Sequence, residues 1–142
     1  MKLRFVVITL LCLLFISCTG TNIDDGKLEH IISNGEIIIE AIKKYQSDNE
    51  QLPSSLEEMI PLYLSEIPDT GLDGRHYLYN RYLPVEDQKY IISVIFSHPL
   101  GFVFWPDDDV DKIVYISDGK YDTEQTEIHR VVKGWAIQTV NH

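Results

Sequence analysis

The residues best suited to chemistry by type and spacing are Asp107, Asp109 and Asp111, in the run Asp107-Asp108-Asp109-Val110-Asp111. Carboxylates at alternate positions suit a hard cation such as Ca²⁺, which takes about six to eight oxygen ligands. Against an EF-hand loop the run falls short: Lys112 stands where the sixth position needs Gly, and no Glu stands at the twelfth. The competing reading is a solvated acidic loop between strands. Bound calcium would raise the melting temperature, and a solvated loop would not respond. The histidines His30, His76, His98, His129 and His142 show no H-E-x-x-H or other paired-ligand spacing. No G-x-S-x-G elbow marks a nucleophile, and no glycine-rich loop could cradle a phosphate. The sequence therefore names no catalytic residue and points away from an enzyme. A small hydrolase with catalytic groups outside the known patterns is the alternative.

The elements that would carry these residues follow from hydrophobic period. Leu28, Ile31, Ile32, Gly35, Ile38, Ile39, Ile42 and Tyr45 recur at three- and four-residue spacing, with Glu29, Asn34, Glu36, Glu40, Lys43 and Lys44 opposite. This predicts an amphipathic helix of about six turns, opened by Asp24 and Asp25 at its positive end. Gly35 reads as a weak point costing about 1 kcal/mol against Ala. Glu40 and Lys44 are the favourable i,i+4 pair. Ser54 or Ser55, followed by Glu57 and Glu58, predicts a capped second helix that Pro61 stops.

From His76 the period becomes two. Strands are predicted over 76–83, with Tyr77, Tyr79 and Arg81 on one face, and over 90–97, the candidate sheet centre. Further strands are expected at Phe102–Trp105 and Ile113–Ile116, with a last strand or hairpin from Ile128 to Val140. Helices first and strands afterwards predict an α+β domain, a long amphipathic helix packed on an antiparallel sheet of about four to five strands. Most aromatics should be core, but Tyr77, Tyr79 or Trp135 could form an outer patch for protein or glycan.

The first eighteen residues lie outside this plan. Lys2 and Arg4 precede an apolar run from Phe5 to Ile16, shorter than the roughly 20 residues a membrane span needs. The stretch Leu14-Phe15-Ile16-Ser17-Cys18 resembles a bacterial lipobox, with Phe15 where Leu is usual. The resemblance implies cleavage before Cys18 and a diacylglycerol thioether on its sulfur. The chain then divides into a signal peptide (1–17), a lipidated Cys18 with its tether (18–26) and a domain (27–142). Cys12 is the other cysteine, so the mature chain would have no disulfide and no thiol chemistry. Losing Lys2 and Arg4 leaves ten basic against 22 acidic residues, a net −12 that disfavours nucleic acid and anionic lipid surfaces alike.

A second resemblance covers residues 42–79. The stretch Leu52-Pro53-Ser54-Ser55-Leu56-Glu57-Glu58-Met59-Ile60-Pro61-Leu62-Tyr63-Leu64, then Ile67-Pro68-Asp69, then Tyr77 and Tyr79, is similar to the heads of type IV pilin-like proteins, above all the major pseudopilins of type II secretion. The resemblance implies a pilin-like head, and the calcium that such heads hold near their C-terminal strands. It carries no catalytic residue. Two features depart from that family: Asp69-Thr70-Gly71-Leu72 replaces its Asp-Pro-Trp-Gly, and nothing resembles a prepilin cleavage site. The expectation is a non-catalytic envelope lipoprotein, periplasmic or surface-exposed, held to the membrane through Cys18. It would be a structural module or one that binds an envelope protein partner. A calcium-dependent envelope stabiliser is the further alternative.

Overall fold

In a computed structural model, residues 23–81, 88–97, 110–121 and 126–140 are described. One helix packs on a five-stranded antiparallel sheet, an α+β arrangement. Helix α1 spans Asp25–Asn49, so it begins inside the stretch read as tether. Asp24 is its N-cap, its carboxylate accepting from the Lys27 N–H at 3.0 Å. The helix ends where Glu50 turns left-handed, at φ 59, and returns its N–H to the Gln46 carbonyl. The predicted apolar stripe is the buried one, from Leu28 through Tyr45.

The predicted second helix is instead a single 3₁₀ turn, Glu57–Met59, with Leu56 and not a serine at its N-cap. Its short length follows from the sequence, since only four residues separate Leu56 from Pro61, too few to propagate an α-helix.

Strand β1 is Leu78–Arg81, β2 Tyr90–Ser97, β3 Val110–Ile116, β4 Thr126–Val132 and β5 Trp135–Val140. Their order in the sheet is β1-β2-β3-β5-β4. The centre is therefore β3, and β2, expected there, lies one place off. Composition explains why β4 and not β5 is the edge strand. β4 is rich in polar residues and leaves Glu127, His129, Arg130 and Val131 in solvent, whereas Trp135 to Gln138 of β5 are all buried. A strand buried on both faces belongs inside the sheet, so β5 takes the place beside β3. β4 folds back on β5 through Lys133 and Gly134, both at positive φ (50 and 81), as a two-residue type I′ hairpin requires.

The register puts Tyr79, Ile92, Tyr115, Trp135 and Val132 in one row across the sheet, with Val94, Ile113 and Ile137 beside them. This face meets α1. Ile31, Ile38, Ile42, Ile92, Val94, Ile113 and Trp135 are fully buried in the core it forms. On the opposite face Ser93, Val114, Ile116, Ala136 and Gln138 are buried too, while Lys112 is half-buried.

Two aromatic expectations need correcting. Trp135 is 0% exposed and Tyr77 6%, so neither can belong to an outer patch. Trp135 is buried because α1 makes room for it: a Cβ on Gly35 would lie 2.3 Å from the indole Cζ2. The glycine that reads as a helix defect is the notch in which the ring sits. Glu36, assigned to the solvent face, accepts the Trp135 indole N–H at 2.8 Å. Lys43, rather than Lys44, pairs with Glu40, at 2.8 Å.

Candidate functional site

Two regions gather functional groups: the loop from Glu50 to Arg75, and the cleft between the start of α1 and β4. In the loop, Glu58 is the hub. Its Oε1 accepts from the Tyr45 hydroxyl, and its Oε2 accepts from both the N–H and the hydroxyl of Ser54, each at 2.5 Å. The capping-box residues thus do meet, but they close a loop onto α1 instead of starting a helix. Donation from Ser54 and Tyr45 favours the charged form and lowers the Glu58 carboxyl from the ordinary 4.5 to about 2. Such a carboxylate is too weak a base to take a proton from substrate near neutral pH.

Two tyrosines at the start of β1 fasten the helix and the loop: Tyr77, just before the strand, to α1, and Tyr79, within it, to the loop. The Tyr77 hydroxyl donates to the Ile31 carbonyl at 2.6 Å, and the Tyr79 hydroxyl to the Pro53 carbonyl at 3.0 Å. Burial raises both phenols, Tyr79 to about 12, so neither ionises in any physiological range. At the loop's far end, Asn34 donates to the Asp69 carbonyl at 2.8 Å, and Asp69 Oδ1 accepts from the Gly71 N–H at 2.7 Å. His30 Nε2 lies 3.3 Å from the same Oδ1 and 3.1 Å from Asn34 Nδ2. The Gly71 N–H and His30 together hold the Asp69 carboxyl below its ordinary value. This is a histidine–carboxylate contact that sequence spacing could not show, since 39 residues separate the pair. Gly71 is required there: it stands at φ +68, and a Cβ would come within 2.7 Å of the His30 ring.

The cleft lies at the start of α1, on the side that meets β4. One lobe, of about 310 Å³, is lined by Leu28, Ile32, Glu29, Val132 and Lys133; a second, of about 590 Å³, adds Ile23, His129 and Ile137. The Arg130–Asp25 ion pair, at 2.8 Å, belongs to both lobes. On β4, His129 Nε2 lies 2.7 Å from the Thr139 hydroxyl and its Nδ1 is 3.8 Å from Glu127. A β-bulge between Ile128 and Arg130 places His129 opposite no residue of β5.

The site residues named from sequence fall largely elsewhere. Cys18, Asp107 and Asp109 lie outside the described residues, as does the strand expected at Phe102–Trp105. Asp111 stands within β3 and not in a loop, its backbone paired with Ser97 and Thr139. Among the described residues no three His, Cys, Asp or Glu side chains are grouped closely enough to hold a metal ion, and no helix is long and apolar enough to cross a membrane. The spacing of Ser54 or Ser55 and Glu57 or Glu58 carried the signal of the Ser54–Glu58 contact, whereas sequence reasoning missed Tyr45 and Asp69 as partners.

No protein-family model, curated protein or solved structure matches this chain.

Proposed function

We propose that this chain is an envelope lipoprotein, anchored through Cys18, whose α+β domain is a non-catalytic, pilin-like head serving as a structural or protein-binding module. The observation that carries the non-catalytic part is how the reactive side chains are used. Glu58, Tyr45 and Asp69 fasten the Glu50–Arg75 loop to the helix or to itself, Tyr79 ties it to β1, and Tyr77 ties the segment before β1 to the helix. A carboxylate held at about 2 by three donors, and phenols buried to high pKa, are groups committed to architecture. The pilin-like part is supported by element order: helix, Pro53 loop, Ser54–Glu58 turn, then Tyr77 and a strand carrying Tyr79. The anchor is supported by the basic start, the short apolar run and the Ser17-Cys18 pair.

Replacing Cys18 tests the anchor. Cys18→Ser is expected to abolish incorporation of labelled lipid and to release the domain from membranes. A variant that stays membrane-bound with unchanged gel mobility would overturn the assignment.

A further inference from the structure

Residues 45–74 carry seven Asp or Glu and no Lys, Arg or His, the longest one-signed stretch of the chain. At the tip of this loop Ile60, Pro61 and Leu62 are three consecutive apolar residues that all face solvent, with Ile60 38% and Leu62 82% exposed. Single exposed leucines are common, whereas a run of three on a turn needs a reason. Looseness is not that reason. The Tyr63 and Leu64 N–H groups both donate to the carbonyl of fully buried Met59, at 2.8 and 3.2 Å. Tyr63 packs edge-on against Tyr45 with centroids 5.2 Å apart, and its hydroxyl accepts from Asn49 at 3.1 Å. The turn is pinned on both sides while its apolar residues stay out. Ordering is complete before any partner arrives, which lowers the entropic cost of binding.

We propose that the Ile60–Leu62 turn is a docking knob for a partner protein that offers an apolar pocket rimmed by Lys or Arg. This rests on reading the chain as an anchored protein-binding module and names the surface and the partner's chemistry. Charge selects the occupant. Asp48, Glu50, Glu57 and Glu66 stand in solvent around the turn, so a cationic rim gains and an anionic surface is repelled. A lipid bilayer is disfavoured twice. Its headgroups are commonly anionic, and the turn packs beside the end of α1, about 37 Å from the helix start for 25 residues. A second copy is disfavoured by the net charge of −12 that each mature copy would bring. The cleft between α1 and β4 carries Asp25 and Glu29 beside Arg130 and Lys133, so its rim is of mixed rather than cationic charge.

The test uses the full chain expressed in cells, with the photocrosslinker p-benzoyl-phenylalanine at position 62 and, separately, at Val131. Val131 is 53% exposed on β4, the strand that Arg130 ties to the start of α1, and serves as the control site. Expected is one discrete adduct from position 62. Its crosslinked peptide should map to an apolar surface flanked by Lys or Arg, and its yield should fall about tenfold with Glu57→Lys plus Glu66→Lys or at high salt. An adduct that ignores both salt and charge reversal overturns the proposal, as does one of twice the chain's mass or one made with lipid. Adducts from position 131 alone overturn the knob while leaving the binding-module reading intact. No adduct at either position, with Cys18 still lipid-labelled, overturns that reading as well.

Discussion

Helix α1 is held on two sides by different physics. Toward the sheet the contact is dry: Ile31, Ile38, Ile42 and Trp135 are fully buried, and the Trp135 ring occupies the space a Gly35 side chain would take. Toward the Glu50–Arg75 loop, Leu52, Leu56, Met59 and Leu64 join the same buried core, and polar latches are added at its margin: Glu58 to Tyr45, and Asn34 to Asp69. Apolar burial scales with area and leaves no tolerance for shape, whereas an exposed hydrogen bond trades against water and contributes little net. The sheet side should therefore carry more of the stability than the latches, which should set loop position.

Trp135→Ala should break the comparison most visibly, costing about 3–5 kcal/mol in urea unfolding, because no neighbour can refill the indole volume. Gly35→Ala comes next and is the sharper test. Helix propensity alone predicts a gain of about 1 kcal/mol, whereas overpacking against the indole predicts a loss of about 1–3 kcal/mol. A stabilised variant would show that the ring moves aside freely. Among the hydrogen bonds to α1, Tyr77→Phe should cost about 1 kcal/mol, since the Ile31 carbonyl keeps its helical partner and only one bond is lost.

Glu58 adds a pH dependence. Its folded pKa is depressed, so its contribution is complete above the unfolded value of 4.5 and is lost as pH falls toward about 2. Wild-type stability should drop across that window, with a smaller drop in Glu58→Gln. Equal slopes would remove the latch from the account. The smallest effect is expected at the exposed pair Arg130–Asp25, where Arg130→Ala should change stability by less than about 1 kcal/mol and reduce its salt dependence.

Much of the fold was legible. Three- and four-residue spacing from Leu28 to Tyr45 placed α1 and its buried face, and alternation from Tyr90 onward placed β2. The sites were less so. Glu58 and Ser54 were recognisable as partners, but the chain between Leu56 and Pro61 is too short for the helix they would have capped. Trp135 looked available for an outer patch because a strand's alternation tells which residues share a face, not which face meets the helix. His30 and Asp69, or Glu36 and Trp135, could not be paired in advance, being 39 and 99 residues apart.

By itself the sequence determined the acidity, the two apolar periods and the division between a helical first half and a stranded second. Those are local quantities, set by which side chains water rejects over a few residues. Only the tertiary structure decided that β5 lies between β3 and β4, that Gly35 is a notch, and that the loop's carboxylates are latches. Each of those depends on atoms brought together from distant positions. The energy that decides them is the shape and hydrogen-bond complementarity of surfaces that exist only once the chain has folded.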